Sequence, residues 1–166
     1  MRPSFFSFVK LIRGKRARAL LLVASSIALA GCAGTPGESA LPPRATPAAY
    51  PVDRLVGKWG VASYRQDKDK GRTEAMARAQ CKLPYVITKG PTDGVIMHVA
   101  DDTTPHELTL KGGPGGKTYL GFEGPPGDDQ DREILSMSEN MFVVRYINPE
   151  TNDRYGTLIY VRCKTA

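Results

Sequence analysis

The chain of 166 residues holds two histidines, one tryptophan and three cysteines, with no Cys-x-x-Cys pair among them. The wide spacing of Cys32, Cys81 and Cys163 argues against a dithiol redox centre. No Gly-x-Ser-x-Gly occurs, so no serine stands in a recognisable nucleophile frame. His98 and His106 flank the Asp101–Pro105 turn without a metal-ligand spacing, and a polar hairpin end accounts for them. Asp128-Asp129-Gln130-Asp131 lacks the alternating frame of a calcium loop. Gly112–Thr118 imitates a phosphate-binding loop, but Lys111 stands where its first glycine belongs, and Lys117–Phe122 reads as a strand rather than a helix. These absences leave no catalytic constellation, and a non-enzymatic protein without cofactor or metal is expected.

Acid is missing from the first 31 residues, which carry six of the 23 Lys and Arg (Arg2, Lys10, Arg13, Lys15, Arg16, Arg18). Without them, 17 basic residues face 17 acidic ones, so the formal charge of +6 belongs to the leader. A neutral remainder argues against nucleic acid, which demands a basic face. Behind the basic region, Ala19–Ala30 is apolar or small throughout. As a helix this run would span about 18 Å, short of the roughly 30 Å hydrocarbon layer, as in a secretory signal. It ends in Leu29-Ala30-Gly31-Cys32, which resembles the lipobox of bacterial lipoproteins. That resemblance implies thioether lipidation of Cys32, cleavage after Gly31, and a membrane held through several acyl chains. Ala33 rather than Asp follows the cysteine, which by the same resemblance points to the outer membrane, with the domain facing the periplasm.

Three segments result: a signal peptide at 1–31, a lipidated Pro/Ala-rich tether at 32–51, and one domain at 52–166. The tether, AGTPGESALPPRATPAAYP after the cysteine, has no periodic apolar face and suits a semi-extended spacer. In the domain, Leu55–Tyr64 reads as a first strand. Thr73–Cys81 reads as a short helix capped by Thr73 and ended before Pro84. Seven further short apolar runs follow, at Tyr85–Lys89, Val95–Ala100, His106–Lys111, Lys117–Phe122, Glu133–Met137, Met141–Ile147 and Tyr155–Cys163, with Gly, Pro, Asn or Asp clusters between them. Leu108 and Leu110 alternate with polar neighbours, so one face is buried. The fold class is all-β: a small eight-stranded antiparallel meander barrel with one short helix between strands 1 and 2. Closure removes exposed edges. A two-sheet sandwich is the alternative. In an exported chain, Cys81 and Cys163 are expected to join as a structural staple.

Gly57-Lys58-Trp59 opens the first strand and contains the only tryptophan. With the strand count, it resembles the start of the calycin barrels, the group of lipocalins, fatty-acid-binding proteins, avidins and small bacterial metalloprotease inhibitors. In lipocalins the tryptophan closes the barrel floor and a basic residue of the last strand lies across it. The resemblance implies that role for Trp59 and Arg162. A barrel of eight strands is either filled by its own side chains or holds one small ligand. For the second case the strand parity nominates Val61, Leu108, Leu120 and Val144 as lining, with Trp59 and Arg162 closing one end and Gln66–Cys81 bordering the other. The resulting expectation is a lipid-anchored binding module for a small apolar or amphiphilic molecule. The alternative is an envelope interaction protein, either a protease inhibitor of the bacterial calycin type or an outer-membrane scaffold.

Overall fold

A computed structural model describes residues 46–164; the segments read as a signal peptide and, up to residue 45, as a tether, with Cys32, lie outside the described residues. Eight antiparallel strands in sequence order close into a barrel, β8 returning to β1. They are β1 (Gly57–Tyr64), β2 (Tyr85–Lys89), β3 (Val95–His98), β4 (Pro105–Gly112), β5 (Thr118–Gly121), β6 (Arg132–Met137), β7 (Met141–Tyr146) and β8 (Thr157–Arg162). The closing seam is long, running in register from Trp59 opposite Arg162 to Tyr64 opposite Thr157.

The helix between β1 and β2 is α1 (Lys70–Ala79), entered and left through 3₁₀ turns at Asp67–Asp69 and Gln80–Lys82. It starts earlier than Thr73, because the 3₁₀ turn runs straight into it. Thr73 is therefore internal and buried, its hydroxyl donating to the Asp69 carbonyl one turn back. Nor does this segment border a barrel opening. Ala77 packs on the outer wall with Tyr64, Val143, Ile159 and Val161, which point away from the barrel axis. Alternation in β1 makes this possible: Trp59 and Val61 face inward while Gly60 and Ala62 meet the helix. Gly60 must be small, since a Cβ there would lie 1.9 Å from the Ala77 carbonyl oxygen.

A second helix, α2 (Pro149–Tyr155), stands where the sequence reads as a turn. Its signals are all local. Asn148 Oδ1 accepts the Thr151 amide, Pro149 occupies the first turn, and Gly156 follows with φ 73°. What it lacks is an apolar stripe, and so periodicity does not reveal it. In β6 the pairing shifts between Ile134 and Ser136, which leaves the apolar Leu135 41% exposed.

The polar ends of the barrel are fastened by charge. Lys111 Nζ lies 2.6 Å from the buried Asp131 carboxylate and donates to the carbonyls of Phe122 and Pro125, holding the β5–β6 loop against β4. Cys81 and Cys163 form a disulfide, Cα atoms 5.5 Å apart, which ties the end of α1 to the chain just past β8. Residues from Thr46 onward, assigned by composition to the tether, already lie on the barrel. Thr46 bridges to Gly112, the Ala49 amide donates to Thr118 Oγ1, and Tyr50 packs against the interior cluster.

Candidate functional site

The two ends of the barrel differ. At one, Trp59 is fully buried and its indole N–H donates to the Leu55 carbonyl at 2.8 Å. The Arg162 guanidinium lies 4.1 Å from the centre of the Trp59 ring and donates to the carbonyls of Arg54, Val56 and Glu139. Gly57 belongs to this unit: it has φ 146°, and a Cβ would sit 2.5 Å from Arg162 Nη1. The Gly-x-Trp spacing is therefore the footprint of one cation–π plug, in which glycine leaves room for the guanidinium. This end is closed.

Above the plug, the interior is occupied by the chain's own aromatic groups. Phe142 meets Trp59 edge-on at 4.7 Å and stacks on Tyr160 at 4.2 Å; Tyr85 follows at 6.2 Å from Tyr160. Leu108, Leu120 and Val144 are buried in the same cluster, with Val61 partly buried against it. The sequence-nominated lining residues thus converge on one interior with Trp59, while Arg162 belongs to the plug. None of the six lines the pocket at the other end.

That pocket, about 350 Å³, opens at the barrel mouth, among the segments following β3, β5 and β7. Val99, Phe122 and Tyr146 supply apolar wall; Asp101, Gln130 and Asn148 supply polar groups. Helix α2 borders it and is latched across the mouth. The Asp101 carboxylate accepts from the Tyr155 hydroxyl at 2.5 Å and from Arg154 at 2.7 Å. The Tyr155 hydroxyl foremost, then Arg154, holds the Asp101 carboxyl below the usual aspartate range. A group with a lowered folded-state value contributes stability above the ordinary carboxylate range and loses it as pH falls through that lowered value. Backbone amides of Asn152–Tyr155 should therefore lose hydrogen-exchange protection in acid before the barrel unfolds. An Asp101→Asn variant should show the weaker protection at neutral pH and no acid step. Unchanged protection in both proteins would remove the latch.

Beneath the mouth lies a polar layer for which sequence reading nominated no residue. Arg132, only 2% exposed, reaches inward from β6, donates to the His98 carbonyl, and lies 5.0 Å from the centre of the Tyr146 ring. Tyr160 presents its hydroxyl to the same guanidinium, and burial raises the phenol well above its ordinary range. Tyr85 closes the layer, accepting the His98 amide on its hydroxyl. The available signal was parity: Arg132 shares the inward register of Ile134, directly across from Tyr146.

His98 and His106 do not meet as ligands. The first contacts Tyr85 and the second pairs with Asp102 at 2.7 Å and packs on Phe122. Among the described residues no group of three or more His, Cys, Asp or Glu is placed to hold a metal, and no helix is long and apolar enough to cross a membrane. The sequence matches no protein-family model, no curated protein and no solved structure.

Proposed function

We propose that this chain is an exported, lipid-anchored, non-enzymatic barrel of calycin type that binds one small amphiphilic molecule at its mouth. The observation that carries this reading is the asymmetry of the barrel. One end is sealed by Trp59 and Arg162, with an outer groove of about 310 Å³ beside Gly57, Asn140 and Arg162, whereas the mouth keeps a pocket of about 350 Å³ with mixed apolar and polar walls. Pockets of that size and character suit small molecules. The Gly57–Trp59–Arg162 unit supports the calycin assignment, because the lipocalin resemblance implies that contact at that end. The Leu29–Cys32 lipobox supports attachment at Cys32 to the outer membrane, which would bring envelope lipids and their breakdown products within reach.

Native mass spectrometry of the mature chain from the periplasm, with Cys32→Ser and no added lipid, tests the binding. A stoichiometric added mass that is lost on denaturation is the expected result. Fractionation tests the anchor: wild type should sediment with membranes and Cys32→Ser should not. A serine variant still held in the membrane fraction would defeat the lipobox assignment. The filled lower interior favours a second reading, an envelope interaction protein without a small ligand. In that case the chain would fly bare in the spectrometer, and crosslinking in cells would recover one dominant protein partner.

A further inference from the structure

We infer that the mouth pocket receives an anionic head group, with Arg132 as its counter-charge: a carboxylate or phosphate monoester carried on a short apolar body. This rests on the reading of that pocket as the binding site and specifies the class of molecule it takes. Three consecutive charged residues, Asp131, Arg132 and Glu133, are buried. Asp131 is neutralised by Lys111, and Glu133 by Lys117 and Arg145. Arg132 has no carboxylate within 4.0 Å among the described residues. Its neighbours are the His98 carbonyl, the Tyr160 phenol and the face of Tyr146, none of them anionic. A guanidinium carries five donors in a planar fork that matches a carboxylate or phosphate. Burying such a group without a counter-ion is costly to a folded protein, and a site that receives an anion explains its retention.

The position fits. Tyr146, which covers the guanidinium on one side, also lines the pocket, and Val99 follows the residue whose carbonyl Arg132 holds. Arg132 does not itself line the pocket and is 2% exposed, so a head group would have to part Val99 from Tyr146 to meet it, leaving its apolar body against Phe122. The rim itself is not an anion site: Asp129 lines it, and Asp101 there is committed to Arg154 and Tyr155. Selectivity for negative charge must then come from depth, which demands a molecule long enough to reach inward.

The test uses the mature chain with Cys32→Ser and its disulfide intact, titrated at neutral pH with octanoate, octyl phosphate, octanol and inorganic phosphate. Calorimetry gives affinities, and the Arg132 Nε–H resonance reports the contact. At least one of the octyl anions should bind roughly 10- to 100-fold tighter than octanol, the range of a charge-assisted hydrogen bond in a buried site. The Arg132 resonance should move with that octyl anion and not with octanol. Inorganic phosphate, lacking the apolar body, should bind more weakly than octyl phosphate.

In Arg132→Gln the preference over octanol should vanish. Arg132→Met, free of an unpaired buried charge, should melt no lower than wild type without ligand and gain nothing from octanoate. Octanol binding as tightly as both anions would overturn the anion site while leaving the pocket reading intact. Inorganic phosphate matching octyl phosphate would overturn the amphiphile class. No binding by any probe would sink both. An Arg132→Met protein that melts well below wild type would make Arg132 a structural strut of the tyrosine layer, and the proposal would fail.

Discussion

Replacing both Cys81 and Cys163 by serine should lower the unfolding free energy by about 4–5 kcal/mol, the chain-entropy value for a loop of this length. The bond spans 82 positions in sequence, most of the described domain, so the denatured chain gains a large freedom when it is cut. For a domain of this size the loss corresponds to a fall in Tm on the order of 15 °C. The pair must be replaced together, because a single serine leaves a reactive thiol. Wild-type protein unfolded under reducing conditions should match the double variant. The barrel should still form, since the β1–β8 seam and the packing of Ala77 against Val143, Ile159 and Val161 do not need the bond. Its absence should be felt first at the end of α1, where Gln80–Lys82 has no buried residue to hold it. A shift below about 1 kcal/mol would mean that the denatured chain is already compact around this contact.

Lys111→Met should be comparably damaging, by about 3–5 kcal/mol, for a different reason. Asp131 is 1% exposed and sits against Gly121, where a Cβ would lie 1.8 Å from Asp131 Oδ1. Oδ2 accepts the amides of Gly127 and Asp128, whereas Oδ1 has no aligned hydrogen bond and depends on the Lys111 charge. Removing the lysine strands a carboxylate that water cannot reach, and also frees the carbonyls of Phe122 and Pro125. The double variant Lys111→Met, Asp131→Asn keeps an acceptor for the two loop amides and carries no charge. It should recover most of the loss in urea titrations. If the double variant is as unstable as the single, the pair acts by packing and the charge argument fails.

Both effects bear on the mouth. The loop that Lys111 fastens carries Phe122 and Gln130 into the pocket, and the frame that the disulfide closes holds β7 and β8, which carry Tyr146 and Tyr160. Neither variant changes a group proposed to touch the ligand. Loss of binding in them would follow loss of order, and it should be restored by conditions that restore folding.

Much of this architecture was legible in the residues. Turn chemistry cut the chain into eight strands, and the period of two within them assigned an inner and an outer face; the closed barrel shows both. Two cysteines left over after Cys32 named the disulfide. Turn residues, alternation and leftover cysteines are local or pairwise properties, and sequence carries them directly. The closure by Trp59 and Arg162 was legible only through the calycin resemblance of Gly57-Lys58-Trp59, and the room that Gly57 leaves for the guanidinium was not legible at all.

The remainder required the closed barrel. Thr73 looked like a cap because its own neighbours suit one, but the preceding 3₁₀ turn extended α1 past it. The side of the wall on which α1 lies depended on Gly60 giving up its volume to Ala77, a contact no helix pattern announces. Helix α2 has caps but no apolar stripe; its place at the mouth comes from the Asp101 latch, from Arg65 donating to the Asp153 and Arg154 carbonyls, and from the Tyr155 ring against Tyr146. Arg132 fell just before the Glu133–Met137 run, and the sequence assigned it no role. Its burial followed from a register that aligns it with Ile134 and from closure that brings Tyr146 and the His98 carbonyl around it. Sequence determined the strands, their faces and the staple, because those follow from turn residues, alternation and thiol chemistry. Which charge ended inside, and which end of the barrel stayed open, was decided only where distant strands met.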